Sequence, residues 1–421
     1  MNYTSLEVAI SQIKSEQNVF VQGSASTPIT LINELIRQKE RLTNCKIICM
    51  SVKDVDLNSV ELKGHFYINA LFVSDANREA VNSDRGDYIP IFLSEAPSLF
   101  RKNILPLDVA LIQISPPDEN GFCSLGTSVD VTLAAIESAK MIIASVNKNM
   151  PRTEGDSIIR VSKIHYLVES HHELPEVNYG HKASDSILKI SETIATMIED
   201  GSTLQMGIGA IPDLVLQKLI HHRNLGIHSE MISDGVISLI ENGIINNSKK
   251  KIHPGKSVVG FALGTKKLYN FLHNRKDILM MDMAFVNNPF VIGQNPKVVA
   301  INSAIEIDLT GQVCADSIGK IQYSGIGGQL DFIHGASLSE GGIPIIALTS
   351  TTNKGQSRIV AQLKTGAGVV TTRGNSHWIV TEYGAVNLFG KNMEERAELL
   401  VSISHPSHRE ELQKEFEIRF K

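Results

Sequence analysis

Cysteine is scarce: Cys45, Cys49, Cys123 and Cys314 are the only four in 421 residues. They are too few and too scattered for a disulfide framework, which points to a reducing, cytoplasmic setting. Cys45 and Cys49 stand at a ligand-like spacing, but no second Cys/His pair follows at a matching interval. Their surroundings, "CKIICM", read as a strand with buried free thiols, so no metal is expected. Long apolar runs are missing too. None approaches the roughly 18 residues that span a bilayer, and the charged N-terminus "MNYTSLEVAISQIKSEQ" lacks the apolar core of a signal peptide. No long Lys/Arg block offsets the net charge of -5, which argues against nucleic acid as a partner. The short run Lys249-Lys250-Lys251 reads as a solvated turn. Several active-site signatures are absent as well: the chain has no G-x-S-x-G elbow, H-E-x-x-H helix, P-loop or G-x-G-x-x-G fingerprint.

What remains is the composition of a soluble globular protein, 42% hydrophobic and 20% charged, long enough for two domains. The chain also contains itself twice. Residues 18–35, "NVFVQGSASTPITLINEL", align without a gap on 202–219, "STLQMGIGAIPDLVLQKL", matching Gly23 with Gly207 and Pro28 with Pro212. Each copy follows an amphipathic helix and runs on through a helix into a strand, "CKIICMS" in one and "IHSEMIS" in the other. A looser echo sets "ALIQISPPDENGFCSLG" against "SAIEIDLTGQVCADSIG". This grammar of helix, strand, Gly-rich turn, helix and strand predicts an α/β fold with mostly parallel sheets. Two tandem domains are expected, 1–185 and 186–421, with a ligand cleft between them.

The second glycine turn, "QMGIGAIPDLVL", lets another molecule approach Gly207 and Gly209, and Pro212 suits an early helical position. A turn needed only for packing would look the same. In "YSGIGGQLDFIHG", Gly325, Gly327 and Gly328 leave backbone amides uncovered, with Asp331 just beyond. That suits oxyanion stabilisation or a simple crossover loop. Glu230 lies inside an apparent buried strand, where burial raises a carboxylate's pKa unless hydrogen bonds or a cation hold it charged. The repeat sets it opposite Lys46, so its role belongs to one half only. Glu306 and Asp308 alternate on a strand, as a carboxylate pair or as one polar face leading into a turn. With no Ser or Cys signature, a carboxylate is the most available nucleophile.

The motifs "GIGAIPD", "GIHSEMISDG", "NSAIEIDLTGQV", "SGIGGQLDF", "VTEYGAVNLFGKN" and "HPSHREEL" occur in that order. Together they resemble the acetyl-CoA hydrolase/transferase family over nearly the whole chain, most closely its 4-hydroxybutyrate and butyrate CoA-transferase branch. The resemblance implies two pseudo-symmetric domains of the CoA-transferase type (NagB/RpiA-like). It also implies a nucleophilic Glu230, and CoA contacts at Gly207, Ile208, Gly209, Ala210 and Ile211 and at Gly327 and Gly328. Residues that orient the acyl or carboxylate group map to Glu382 and Asn288, although "VNNPF" offers Asn287 as well. The implied reaction moves CoA from an acyl-CoA to a short-chain carboxylate, acetate with 4-hydroxybutyrate or butyrate. It passes through an acyl-glutamyl anhydride and a glutamyl-CoA thioester, with CoA as substrate and no permanently bound cofactor. Lys354 and Arg358 are candidates for the CoA phosphates, and a homodimer is the default assembly. Acyl-CoA hydrolysis through the same intermediate is the alternative. A non-catalytic acyl-CoA sensor and a sugar-phosphate isomerase are the remoter readings.

Overall fold

A computed structural model describes residues 2–178 and 184–420. Two sheets organise the chain. The first has seven strands in the order Tyr166–Ser170, Met141–Asn147, Val109–Ile114, Asn18–Val21, Cys45–Cys49, Phe66–Ala70 and Gly86–Tyr88, all parallel. The second runs Gly384–Asn387, Trp378–Thr381, Ile343–Ala347, Val298–Ser303, Thr203–Met206, Gly226–Ile232, Ser257–Ala262, Ile278–Met280 and Glu154–Gly155. Only its first pair is antiparallel. Strand for strand, the seven parallel members of the two halves follow the same order, so the internal repeat is a repeat of topology. Central strands such as "VALIQI" are buried at every residue, as a parallel sheet covered on both faces requires.

The expected boundary between residues 185 and 186 falls just after residues 179–183, which lie outside the described part. Ser184 then caps the helix Asp185–Met197, its hydroxyl accepting from Ile187 N–H. The halves are not cleanly separate. Glu154–Gly155, from the first, forms the edge of the second half's sheet by pairing with Leu279 and Met280. Val129 N–H donates to Gly260 at 3.1 Å, and Ala262 N–H donates to Thr127 at 2.8 Å. One apolar core runs through both halves, joining Phe20 and Ile112 to Ile227 and Val299.

Three expectations need correcting. Strand pairing moves the counterpart of Glu230 from Lys46 to Ser51. Val19, the counterpart of Thr203, pairs with Ile47, whereas Thr203 itself pairs with Gly226, so Gly226 answers to Ile47 and Glu230 to Ser51. The second copy reaches its strand five residues sooner, which a gapless alignment cannot register. The looser echo is also displaced. Val109 and Val298 hold equivalent places beside Val19 and Thr203, so Ala110 answers to Val299 and not to Ser303. That shift of four residues keeps a two-residue alternation in phase, so the sequence pattern could not expose it.

The third correction concerns the lysine run. Lys249 and Lys251 are exposed, but Lys250 is buried, its Nζ donating to Ile227 O at 2.7 Å and Lys256 O at 2.6 Å. Gly226 makes room for it, since a β-carbon there would come 2.7 Å from the Lys250 stem. Among the described residues all four cysteines are buried and free, and no helix is long and apolar enough to cross a membrane.

Burial drives the Lys250 ammonium down to about 7. The unfolded chain therefore binds more protons between that value and the ordinary lysine range, and stability rises with pH across this window. In Lys250→Met the rise should shrink, by on the order of 1–3 kcal/mol between pH 7 and 10. Denaturant unfolding of both proteins at several pH values measures it.

Candidate active site at the interdomain cleft

Strand Gly226–Ile232 lies between Thr203–Met206 and Ser257–Ala262, and Glu230 sits near its carboxyl end. Open α/β sheets bind ligands outside the carboxyl ends of their strands. Here that end meets the first half across a cavity of about 140 Å³. Phe72 enters from the first half. The opposite walls are Gln205–Ile208, Glu230, Met231, Asn302, Ser303, Ala315 and the loop from Ser324 to Gln329.

His228, two residues back and on the same strand face, is fully buried and donates from Nε2 to the Val286 carbonyl at 2.8 Å. Burial pushes its imidazole down to about 3, so it stays neutral. That bond ties the strand to the short helix Met283–Val286 and so positions Asn287. Asn287 Nδ2 lies 3.3 Å from Glu230 Oε2 and 3.4 Å from Asp331 Oδ2, donating to both. Its Oδ1 is buried without a hydrogen-bond partner. The backbone N–H of Gly328 also donates to Glu230.

Gly328 must be glycine, because a β-carbon there would overlap Glu230 Oε2 and Asn287 Nδ2. Burial pushes the Glu230 carboxyl up to about 7. The Asn287 and Gly328 hydrogen bonds oppose that rise, while the charges of Asp331 and Asp130 add to it. The result is a half-buried carboxylate held in one orientation, at a cavity of acyl-group size. Such a group can attack an electrophilic carbonyl.

The first half also supports this region from behind. Phe92 bridges to Gly327, and Leu93 N–H donates to Gly327 O at 3.0 Å. Ser94 donates to Asp331 twice, from N–H to Oδ2 at 3.0 Å and from Oγ to Oδ1 at 2.8 Å. Burial moves Asp331 up to about 6 against these bonds.

Not all the residues that the sequence singles out come together. Gly207, Ile208, Gly327 and Gly328 line the cavity with Glu230. Gly209, Ala210 and Ile211 line an adjoining cavity of about 270 Å³, into which Ile208 and Ser303 also reach. Gly209 needs its freedom: at φ +130° it starts the helix Ala210–Lys218. Asn288 stands apart from Glu230 and caps the helix Pro289–Gly293, its Oδ1 accepting from Phe290 N–H at 2.9 Å. Asn287 is the member of that pair on the glutamate.

Glu382 is engaged elsewhere, accepting from Ser350 N–H at 2.9 Å and Ser350 Oγ at 2.7 Å. Glu306 and Asp308 are buried and structural, the first paired with Lys364 Nζ at 2.8 Å and the second closing the turn to Gln312. Arg358 lines the adjoining cavity, and Lys354 stands with it in a third. Phe72 and Ser94 lie in no motif, and Gln205 and Asn302 open the motifs "QMGIGAIPDLVL" and "NSAIEIDLTGQV" without being singled out; strand ends and loops from the two halves bring them in.

The sequence matches family models for the acetyl-CoA hydrolase/transferase N-terminal domain over residues 2–177 and C-terminal domain over residues 264–416. It is 50% identical over 416 residues to a 4-hydroxybutyrate coenzyme A transferase of Clostridium kluyveri, covering 98% of this chain and 97% of that one. A succinyl-CoA:acetate/propanoyl-CoA:succinate CoA transferase of Fasciola hepatica is 49% identical, over 96% of this chain and 85% of its own length. The structure of a 4-hydroxybutyrate CoA-transferase from Porphyromonas gingivalis superposes with a TM-score of 0.85 at 38% identity, covering 99% of this chain and 98% of the other. In both halves, then, the chain belongs to the acetyl-CoA hydrolase/transferase family.

Proposed function

We propose that the protein is a CoA-transferase that moves CoA between an acyl-CoA and a short-chain carboxylate, with Glu230 as the covalent carrier. The observation that carries this reading is the half-buried Glu230 carboxylate, held by Asn287 and Gly328 beside the cavity between the halves. A carboxylate oxygen of Glu230 adds to the thioester carbonyl carbon, and the tetrahedral intermediate expels CoA thiolate to leave an acyl-glutamyl anhydride. The thiolate then adds to the glutamyl carbonyl and expels the first acid as its carboxylate, leaving glutamyl-CoA. An incoming carboxylate runs the same steps backwards and departs as its own thioester. Thioester is exchanged for thioester, so no ATP and no resident cofactor enter.

Binding of the long CoA tail orients the thioester for attack. The cavity's size and the relatives' names support acetate as one acid and 4-hydroxybutyrate or butyrate as the other. Units 1–185 and 186–421 fit the repeated strand order, a reducing cytoplasmic setting fits four buried thiols, and a homodimer is the assembly we favour. Hydrolysis is the second reading, supported by the family's double description. There water replaces the incoming acid on glutamyl-CoA.

Glu230→Gln should lower transfer by at least about 10³-fold. Borohydride added during acyl-CoA turnover, followed by peptide mass analysis, should mark Glu230 and nothing in the variant. A mark on another residue overturns the assignment. Incubation with and without an acceptor acid separates the two readings, because rapid CoA release without acceptor is hydrolysis.

The nucleophile must be ionised, and burial lifts it to about 7. The kcat/KM for acyl-CoA should therefore climb with pH up to roughly neutrality and level off above it. Gly328→Ala should cut kcat by roughly 10²-fold or more, since its β-carbon displaces the carboxylate it would otherwise support. Steady-state rates with circular dichroism as a folding control test this.

A further inference from the structure

The first half contributes little to the wall around Glu230, yet one of its segments touches the neighbours of both groups that hold the carboxylate, Gly327 beside Gly328 and Asp331 beside Asn287. Phe92 and Leu93 grip Gly327, whose neighbour Gly328 donates to Glu230. Ser94 grips Asp331 with two hydrogen bonds, and Asp331 accepts from the same Asn287 amide that donates to Glu230. Asn287 Oδ1 has no partner of its own to fix the amide's sense. Its orientation therefore follows from having an acceptor on each of two sides of Nδ2. Without Asp331 the amide could turn its oxygen towards Glu230 and set two acceptors against each other.

We infer that Asp331, anchored by Ser94 of the first half, is a positioning residue that keeps the Asn287 amide nitrogen on the Glu230 carboxylate. The inference rests on Glu230 being the nucleophile. It also explains the segment Phe92–Ser94, because seating the two halves together aligns the reacting carboxylate through one side-chain chain and one backbone contact. Asp331 also brings a negative charge near Glu230, which favours the protonated glutamic acid. The groups facing Glu230 are Asp331 from the helix Gln329–Leu338, Asp130 from the first half and the neutral Asn287, with neutral His228 on its own strand. Glu95 faces Asp331, and both line a cavity of about 410 Å³ together with His334, three residues on along the same helix.

Two variants separate orientation from charge. Asp331→Asn keeps an oxygen for Ser94 N–H and Asn287 and offers its NH2 to Ser94 Oγ, which can accept it. Its fold is preserved and only the charge is lost. The acid limb of the kcat/KM profile should then move down by about 0.5–1 pH unit. Asp331→Ala removes the acceptor. There kcat should fall about 10–100-fold while KM for acyl-CoA changes less than about threefold, with Ser94→Ala intermediate and Ser94→Thr restored.

An Asp331→Ala kcat within about twofold of the parent overturns the inference, as does an Asp331→Asn kcat that falls as far as that of Asp331→Ala, since the asparagine keeps the acceptor oxygen. CoA labelling keeps the two levels distinct. If the parent protein carries no adduct on Glu230 during turnover, the proposed function itself fails. A labelled Glu230 with unchanged Asp331 variants defeats only the positioning role.

Discussion

Everything near the cleft follows from one unfavourable act, drawing the Glu230 carboxylate partly out of water at the cavity wall. A carboxylate that loses part of its hydration without a counter-charge is destabilised, and no cation comes close enough to pair with this one among the described residues. Two neutral donors support it instead, a backbone N–H and an asparagine amide. Neutral donors steady the charge without quenching it, which leaves the oxygen available to an electrophile. A lysine or arginine in that place would have made a stable ion pair and a poor nucleophile.

The surrounding elements read as consequences of that choice. Gly328 has no side chain because its backbone has to reach the carboxylate. His228 ties the strand to the Met283–Val286 helix, and that bond puts the amide of Asn287 in place. The parallel sheet brings the Glu230 carboxylate to a strand's carboxyl end, where side chains from several strands converge. Beside it the turn Gly207–Ile211 joins two cavities, enough length of wall for an extended ligand.

Much of this was legible in the sequence, for identifiable reasons. Apolar runs and glycine turns at matched spacing carried the α/β repeat, and Glu230 stood out because it is the one charged residue in a strand that reads as buried. Register was not legible. Five residues missing between turn and strand moved the counterpart of Glu230 from Lys46 to Ser51, and a shift of four hid inside a two-residue alternation. Asn287 and Asn288 are adjacent and chemically identical, so only the helix start at Pro289 separates a cap from a contact. Lys250 looked solvated because its neighbours are; the space over Gly226 that receives it exists only once the strand has formed. Ser94 and Phe72 are far from the site in sequence and carry no pattern.

The strand Glu154–Gly155 has a bearing on how the chain is made. It comes from the first half but forms the outer edge of the second sheet, against Leu279 and Met280. During synthesis this segment leaves the ribosome well before the strand it pairs with. The nascent first half therefore carries an open pairing edge, and the second sheet is born with its edge already provided for. An uncovered parallel edge invites pairing between chains. Splitting such a gene at its internal repeat would leave the second product with an unprotected edge, which gives a reason for the two halves to stay on one polypeptide.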